Sequence, residues 1–494
     1  MNPPGELILV LDAGTTSTRA LAFDSAGACR AVAQQPLTQH YPRAGWVEHD
    51  AGEIWQTTLA CAREVVIQSG GADRFAGIGI TNQRETVVAW DRPSGEPLHR
   101  ALVWQDRRTA DACMALKSAG HEPAVQAATG LLLDPYFSAS KMRWLLDNVP
   151  EVAAAAGSGS LALGTVESWL VFKLTGGLFI TDASNASRTS LLPLVGASWD
   201  AGLCDLFGVP RGALAEVTDN AGRFGASLAE HFGAAIPITG LAGDQQAATV
   251  GQGCLAPGQT KATYGTGAFV LANAGQTPPR SRHRLLGTVL TQIGGTRSYA
   301  LEGSVFVAGS LIQWLRDSLG LIASAGETES LARSVEDSGG VVIVPALSGL
   351  GAPHWRPDAR AAISGMTFAT TRAHVVRAAL EAMALQTHDL AMAFAGDGAA
   401  WETLRIDGGM SINDWMAQDL ADMLALPVER PHFVETTALG AGMLAALGAD
   451  RFASLGEAAA AMRGATRSFT PNMDAATREA RLAGWRKALA AVSG

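Results

Sequence analysis

Short stretches rich in apolar residues lead, at three places along the chain, to an aspartate in a glycine-containing turn. The first run, from Leu7 to Leu11, ends at Asp12. It is too short for an ordinary helix and therefore predicts a buried β-strand. Pro237–Ala242 and Leu404–Ile406 predict strands whose ends carry Asp244 and Asp407. Because ligands bind at the strand ends of open α/β sheets, we expect these three turns to meet in a cleft.

Longer stretches predict the other elements of an α/β fold. Helices are expected at Gln105–Leu116, Thr371–Ala395 and Asn413–Leu424, and a hairpin at Lys261–Ala272. The stretch Glu151–Ser160 is rich in alanine, glycine and serine, which predicts a weak helix end followed by a linker. Alternating strands and helices of this kind are typical of α/β proteins.

Length and composition narrow the class of protein. At 494 residues the chain exceeds one hydrophobic core, so we expect two domains, residues 1–252 and 253–494. A formal net charge of −9 argues against nucleic acid or an anionic membrane as the main partner. The five cysteines are widely spaced and include no CxxC pair, and the start does not resemble a signal peptide. A cytoplasmic enzyme is therefore expected, without a membrane span.

The turn after the first strand has the composition of a phosphate-binding loop. Asp12 is followed by Ala13 and Gly14, then by Thr15, Thr16, Ser17 and Thr18, and then by Arg19. Small residues let backbone N–H groups approach an anion, and the hydroxyl groups add donors. Asp12 could then face the phosphate through a bound Mg²⁺. The alternative is an ordinary hairpin turn with a solvated acid, since neither a Walker A motif nor GxGxxG is present here.

A second set of polar residues suggests a site for a small polyhydroxylated molecule. Arg84 and Glu85 follow the short apolar run that ends at Ile80. Together they offer donors and acceptors, and a site built to bind hydroxyl groups strongly rejects analogues that lack them. Trp104 and Tyr136 are candidates for its apolar walls. The alternatives are a surface ion pair for the first two residues and core packing for the aromatic rings.

Asp244 is the candidate base. In a loose phosphoryl-transfer transition state the attacking hydroxyl loses its proton late, so a carboxylate of modest basicity is sufficient. Asp244 could equally cap the helix that its neighbours predict, and both roles are compatible.

Three further stretches could contact a nucleotide. Thr263–Gly267 resembles a second phosphate turn, Gly309 and Gln313 lie on a predicted helix, and the glycines after Asp407 would let a ribose or adenine approach the backbone. Each could instead be an ordinary structural turn. HxxxH, HExxH and GxSxG patterns are absent from the sequence, so it offers none of these metal or covalent motifs.

These residues together resemble the glycerol kinases of the FGGY carbohydrate kinase family. That family has the two-domain actin-like and hexokinase-like (ribonuclease H-like) ATPase fold with a central cleft between the domains. The resemblance extends from about Leu7 to Trp485. The motifs that carry it are Asp12–Arg19, Gly45–Asp50 (GWVEHD), Thr81–Thr86 (TNQRET), Asn185–Thr189, Gly243–Ala248 (GDQQAA), Thr263–Phe269 and Asp407–Asn413.

The resemblance implies ATP-dependent phosphorylation of glycerol to sn-glycerol 3-phosphate by direct in-line transfer, with Asp244 as the base. It implies a set of residues that hold glycerol, namely Arg84, Glu85, Tyr136, Asp244 and Gln245, with Trp104 and Phe269 as apolar walls. It implies a second set that meets the transferred phosphates, namely Thr15, Thr16, Ser17 and Arg19.

For the nucleotide and the metal, the resemblance implies an ADP site lined by Thr266, Gly309, Gln313, Gly409 and Asn413. Asp12 would hold Mg²⁺ through water. A homodimer or homotetramer is also implied. The chain departs from the family at Ala13, where a glutamine is common. It also departs at His231–Ile236, which lacks the glycine-and-arginine loop that binds fructose bisphosphate in some members.

Two alternative functions remain open from the sequence. One is a kinase for another short polyol or sugar of the same family, which would need a wider pocket than Trp104, Tyr136 and Phe269 suggest. The other is a non-kinase actin-like ATPase without a small substrate, whose ATP hydrolysis would not respond to glycerol.

Overall fold

The computed structural model describes residues 5–356 and 358–493. The strands of the first half of the chain are β1 (Leu7–Ala13), β2 (Ser17–Phe23), β3 (Cys29–Pro36), β4 (Glu48–His49), β5 (Phe75–Asn82), β6 (Val88–Asp91), β7 (Glu96–Pro97), β8 (Ala101–Leu102), β9 (Leu161–Gly164), β10 (Ile180–Asp182), β11 (Glu216–Thr218), β12 (Ala221–Ala226) and β13 (Pro237–Gly243). The helices of this half are α1 (Ala51–Gln68), α2 (Ala110–Ser118), α3 (Glu122–Thr129), α4 (Ser138–Asn148), α5 (Pro150–Ser158), α6 (Val166–Thr175), α7 (Ala183–Ala186), α8 (Ala201–Phe207), α9 (Ala229–Phe232) and α10 (Asp244–Gly251).

The second half of the chain adds another set of elements. Its strands are β14 (Thr260–Tyr264), β15 (Ala268–Gly275), β16 (Leu286–Ile293), β17 (Thr296–Val305), β18 (Val342–Val344), β19 (Ala362–Ser364), β20 (Leu404–Asp407), β21 (Val428–Pro431) and β22 (Thr466–Phe469). Its helices are α11 (Gly309–Asp317), α12 (Glu327–Arg333), α13 (Arg372–Gly396), α14 (Asp414–Leu424), α15 (Thr436–Gly448), α16 (Leu455–Met462) and α17 (Ala475–Ser493).

Two large mixed sheets organise these elements. The first has the strand order β12-β13-β5-β1-β2-β3, in which β1, β5 and β13 are parallel neighbours. The second has the order β16-β17-β15-β14-β20-β21-β22, in which β14, β20 and β21 are parallel neighbours. The two-domain mixed α/β architecture expected from the sequence is therefore correct.

The strand β1 is buried on both faces, which explains its unbroken apolar sequence. Leu7, Leu9 and Leu11 pack in the same cluster as residues of α1, whereas Ile8 and Val10 pack with residues of α15. Successive side chains of a strand point to opposite faces, and a strand covered by helices on both faces needs apolar residues at every position. A helix from the second half of the sequence thus covers one face of the first sheet.

The backbones of α10 and α15 approach so closely that glycine is required. A Cβ atom on Gly440 would lie 1.8 Å from the carbonyl oxygen of Ala247, and one on Gly251 would lie 2.0 Å from that of Thr436. This packing fixes α10, and with it Asp244 at its first residue.

Register places the acidic strand ends at one edge of the first sheet. Asp12 on β1 pairs with Thr81 on β5, and Gly243 on β13 pairs with Asn82 on the other side of β5. Asp12 and Asp244 are therefore separated by about two strand spacings, roughly 10 Å. In the second sheet, Asp407 pairs with Thr263.

Most predicted elements are present. The predicted hairpin corresponds to β14 and β15, and the two long helices of the second half correspond to α13 and α14. The linker predicted at Glu151–Ser160 is wrong: α5 occupies the stretch, buries Val152 and Ala155, and ends at Gly159 with a left-handed φ of 76°. A run of alanines supports a full helix once one face has a surface to pack against.

The helix predicted at Gln105–Leu116 begins later than expected, at Ala110. The carboxylate of Asp106 accepts a hydrogen bond from the backbone N–H of Val47 at 2.7 Å and pairs with Arg108 at 2.8 Å. These contacts hold the preceding residues in a loop, as expected where an aspartate bonds nearby backbone instead of entering a helix. Among the described residues, no helix has both the length and the apolar character that a bilayer span requires.

Candidate active site

Arg84 is the centre of the polar side chains at the end of β5. Its guanidinium pairs with Glu302 at 2.6 Å and with Asp244 at 3.2 Å, and it donates to the Tyr136 hydroxyl at 3.4 Å. The side chain is 2% exposed. An arginine so buried is stable only when its donors are matched by acceptors, and here three elements distant in sequence supply them.

Glu85 completes a buried network of two arginines and two glutamates. It adopts a left-handed φ of 61°, a strained conformation for a non-glycine residue that persists only when the surroundings hold it. Arg188 binds the Glu85 carboxylate at 2.6 Å and Glu302 at 3.1 Å. Burial alone would raise the pKa of Glu302, but Arg188 and Arg84 outweigh it and lower that pKa to about 2. Glu302 is therefore ionised at neutral pH and pairs with both guanidinium groups.

Aromatic rings border this network. Trp104 meets Tyr136 edge to face with ring centroids 5.7 Å apart, and it meets Phe269 at 6.2 Å. Trp104 and Phe269 are only partly buried, so ring surface is open to the cleft. Such rings offer apolar faces for C–H groups. We call the site formed by these groups the polar pocket; its residues are Arg84, Glu85, Tyr136, Asp244 and Gln245, with Trp104 and Phe269 as walls.

Asp244 faces the polar pocket from the first turn of α10. Its side chain is 30% exposed and accepts a hydrogen bond from the backbone N–H of Gln245 at 2.7 Å. Burial raises the pKa of Asp244 to about 6; Arg84 opposes the rise and Glu85 adds to it. A carboxylate with a pKa near neutrality is suited to proton transfer.

Lys261, on β14, lies beside Gln245 and is fully buried. Its ammonium group donates to the Gln245 side-chain oxygen and, at 2.9 Å, to the Thr263 hydroxyl. Burial lowers the pKa of Lys261 to about 8, against the opposing effect of Asp407. The Gln245 amide nitrogen remains available as a donor.

The turn after β1 is tied together by a pair of opposite charges. Asp12 and Arg19 are cross-strand partners in the β1–β2 ladder, and their side chains form an ion pair at 2.6 Å. Arg19 also binds Glu435. Burial raises the pKa of Asp12, and Arg19 counteracts this effect. Thr15 and Thr16 lie in the turn, Ser17 begins β2, and Thr16 is exposed.

A cavity of about 490 Å³ opens between the β14–β15 turn, α11 and the start of α14, a size typical of small-molecule sites. We call it the large cavity. Its lining includes every residue that the family resemblance assigns to ADP, namely Thr266, Gly309, Gln313, Gly409 and Asn413. Asn413 also caps α14 by accepting from the backbone N–H of Met416 at 3.0 Å.

The structure thus brings together the residues of each predicted set: the polar pocket, the phosphate turn and the large cavity. Sequence reasoning did not assign Glu302 or Lys261 to any role, and it quoted Arg188 only as part of a motif. Glu302 lies in the buried stretch of β17, where its acidic side chain beside Ala300 and Leu301 is the one signal that could have marked it. Lys261 lies in the hairpin already predicted, two residues before Thr263.

Comparison with known families agrees with this arrangement. The model described as the FGGY family of carbohydrate kinases, N-terminal domain, matches residues 7–251, and the corresponding C-terminal domain model matches residues 260–449. The chain is 52% identical to glycerol kinase of Methylobacterium nodulans, over 99% of this chain and 98% of the relative. It is 53% identical to glycerol kinase of Rhodospirillum rubrum, over 98% of this chain and 99% of the relative.

Solved structures show the same similarity. Glycerol kinase of Plasmodium falciparum with ADP superposes with a TM-score of 0.92 at 35% identity, covering 99% of both chains. Xylulose kinase of Rhodospirillum rubrum superposes with a TM-score of 0.85 at 26% identity, covering 98% of both chains.

Proposed function

The chain belongs to the FGGY family of carbohydrate kinases, and on that premise we propose that it transfers the terminal phosphoryl group of ATP to glycerol, giving sn-glycerol 3-phosphate. Full-length relatives at 52% and 53% identity are glycerol kinases, and the structural relative with ADP is one as well. The observation that carries the proposal is the position of Asp244, which lies on the same sheet edge as Asp12 and contacts Arg84 in the polar pocket.

In this proposal Arg84, Glu85, Tyr136 and Gln245 bind the hydroxyl groups of glycerol, and Trp104 and Phe269 cover its carbon atoms. Asp244 takes the proton of the terminal hydroxyl as that oxygen bonds to the phosphorus and the bridging oxygen of ADP leaves. The pKa of Asp244, raised to about 6 by burial, keeps the carboxylate ionised at neutral pH while making it a better base than an ordinary aspartate.

The phosphate groups would be held by the turn after β1. Thr15, Thr16, Ser17 and Arg19 supply donors to the transferred phosphoryl group. The residues fit a magnesium ion that arrives with ATP, because such sites use one or two carboxylates together with phosphate oxygens, and Asp12 offers a carboxylate that is only 4% exposed. The ion would neutralise charge that develops on the phosphate oxygens.

The nucleotide would occupy the large cavity. Gly409 leaves room for the ring or ribose to meet the backbone, and Gly309 lines the cavity at the first residue of α11. Thr266, Gln313 and Asn413 supply polar contacts. Closure of the two domains would exclude water and limit wasteful hydrolysis of ATP.

We further propose residues 1–252 and 253–494 as the two domains, a cytoplasmic location, and a homodimer or homotetramer as in the family.

A coupled assay tests the proposal. Turnover is compared for glycerol, dihydroxyacetone, erythritol and xylulose, with direct detection of the phosphorylated product. We expect glycerol to dominate, because the rings of Trp104, Tyr136 and Phe269 leave little room for a longer chain. Preferred turnover of xylulose would favour a sugar kinase instead, and ATP hydrolysis that ignores glycerol would favour the non-kinase ATPase.

A further inference from the structure

Several buried polar residues of the TNQRET and GWVEHD motifs have no role in the proposed reaction. Three of them form one hydrogen-bonded group, namely Gln83, Thr86 and His49, which are at most 1% exposed. Polar groups at this depth are costly unless their hydrogen bonds are made. Their partners therefore indicate what these residues do.

The partners form a closed chain of hydrogen bonds between the phosphate turn and a wall of the polar pocket. The Gln83 amide nitrogen donates to the carbonyl oxygen of Gly14 at 3.1 Å, and the Gln83 oxygen accepts from the Thr86 hydroxyl at 3.0 Å. The Thr86 hydroxyl accepts from the backbone N–H of Trp104 at 3.2 Å. The Trp104 indole N–H donates to the Thr15 hydroxyl at 3.0 Å, which returns the chain to the phosphate turn.

His49 fixes the orientation of the Gln83 amide. The Gln83 nitrogen lies 3.1 Å from His49 Nδ1, and burial lowers the pKa of His49 to about 4, so the ring is neutral at pH 7. A neutral imidazole has one acceptor nitrogen. Since the Gln83 amide nitrogen can only donate, Nδ1 is the acceptor. Both amide hydrogens are then used, one on Gly14 and one on His49, and the amide oxygen must face Thr86.

The Thr15 hydroxyl is oriented in the same way, by the donor that it meets. The indole N–H of Trp104 can only donate, so the Thr15 oxygen accepts that bond. The Thr15 proton is left free to donate in another direction. A hydroxyl in a phosphate turn that accepts from one side is thereby prepared to donate to an anion on the other.

We propose that Gln83 and Thr86 are positioning residues that couple the polar pocket to the phosphate turn through Trp104. Glycerol packed against the Trp104 ring restrains that ring, and the restrained ring holds Thr15 with its proton directed to the phosphate. Binding of either ligand then reduces the conformational entropy that the protein loses when the other ligand binds. The coupling between the two sites is therefore reciprocal. The inference rests on the proposed function, because it requires glycerol in the polar pocket and nucleotide phosphates at Thr15.

Two substitutions interrupt the chain of hydrogen bonds at different points. Trp104→Phe keeps an aromatic wall but removes the indole N–H, and Thr86→Val keeps the volume of the side chain but removes the hydroxyl. The matched control is Thr58→Val, because Thr58 is fully buried in α1 and its hydroxyl has no hydrogen-bond partner within the described residues. Thermal melting and circular dichroism establish that each variant is folded.

The measured quantity is the Kd of a non-hydrolysable ATP analogue, with and without saturating glycerol, by calorimetry. We expect glycerol to tighten nucleotide binding about tenfold in the unmodified protein, within the usual range of coupling between two sites. Trp104→Phe and Thr86→Val should reduce that factor to about one, whereas Thr58→Val should retain it.

A purely structural role for Gln83 and Thr86 predicts a different outcome. Substitution would then lower the melting temperature or kcat while the coupling factor stayed at its unmodified value, and that result overturns the inference. A factor of one in the unmodified protein overturns it as well. Failure of the unmodified protein to form glycerol phosphate is a separate result, which overturns the proposed function itself.

Discussion

The polar pocket and the large cavity are built in opposite ways. The polar pocket depends on charged side chains that pair with one another, and the groups of Arg84 and of the supporting Arg188 and Glu302 are almost completely buried. The large cavity depends on the absence of a side chain at Gly409, where a Cβ atom would meet nothing within 4 Å, and on the backbone of the β14–β15 turn, against which Gly309 packs closely. The polar pocket is therefore specified by the side chains that its residues contribute, and the large cavity by the space that its lining residues leave open.

This contrast indicates how each site responds to substitution. In the polar pocket, removing one member leaves a buried partner uncompensated, which affects both chemistry and folding. In the large cavity, an atom added at Gly409 would enter open space, so it should compete with a ligand and leave the fold intact. The four predictions below test that distinction, beginning with the largest expected effect.

Replacement of the proposed base should cause the largest loss of activity. We expect Asp244→Asn to lower kcat by roughly 10²–10⁴-fold, because the amide cannot accept the proton of the attacking hydroxyl. The Kd of an ATP analogue, measured by calorimetry, should stay close to that of the unmodified protein, since Asp244 does not line the large cavity. A variant with nearly normal kcat would remove Asp244 from its proposed role.

Loss of the central glutamate should mainly affect stability. We expect Glu302→Gln to lower the free energy of unfolding by about 3–5 kcal/mol, because it leaves Arg84 and Arg188 buried with unbalanced charge. Urea titration followed by circular dichroism measures this change. The control is Asp450→Asn, which removes a partner of Arg223 from a pair whose side chains are 63% and 80% exposed; little change is expected there. Equal effects of the two substitutions would contradict the prediction.

The pH dependence of activity should report the environment of Asp244. Its pKa is raised to about 6, so the base becomes protonated as the pH falls through that value. At saturating ATP, kcat/KM for glycerol should be level above pH 6 and fall about tenfold per pH unit below it. The residual activity of Asp244→Asn should lack this limb, and a limb near pH 4 in the unmodified protein would show that the pocket does not perturb Asp244.

A single methyl group in the large cavity should weaken nucleotide binding without disturbing the fold. A Cβ atom on Gly409 meets nothing within 4 Å, so Gly409→Ala should melt like the unmodified protein. If the nucleotide lies against this position, its Kd should rise about tenfold. Gly157→Ala is the matched control, because its Cβ atom also meets open space but lies in α5, away from the cavity. Unchanged affinity in Gly409→Ala would place the nucleotide elsewhere.

Local sequence patterns determined most of the elements and the identity of each candidate site. The unbroken apolar run of β1 predicted a buried strand because a strand covered on both faces needs apolar residues throughout. Turn residues located the β14–β15 hairpin. The phosphate turn lies within one motif, and single motifs pointed to Arg84 with Glu85, to Asp244 with Gln245, and to Gly409 with Asn413, because those residues lie within a few positions of one another.

Tertiary structure alone decided which distant residues complete the sites. Glu302 reaches Arg84 across 218 positions of sequence, and helix α15 covers the first sheet from the other half of the chain. The helix α5 forms where a linker was predicted, because its weak apolar face finds a partner surface. Hydrophobic periodicity and short motifs carry information only about residues that are close in sequence. A buried charge or a helix face is satisfied by partners that folding brings together, and the local pattern of the chain does not specify them.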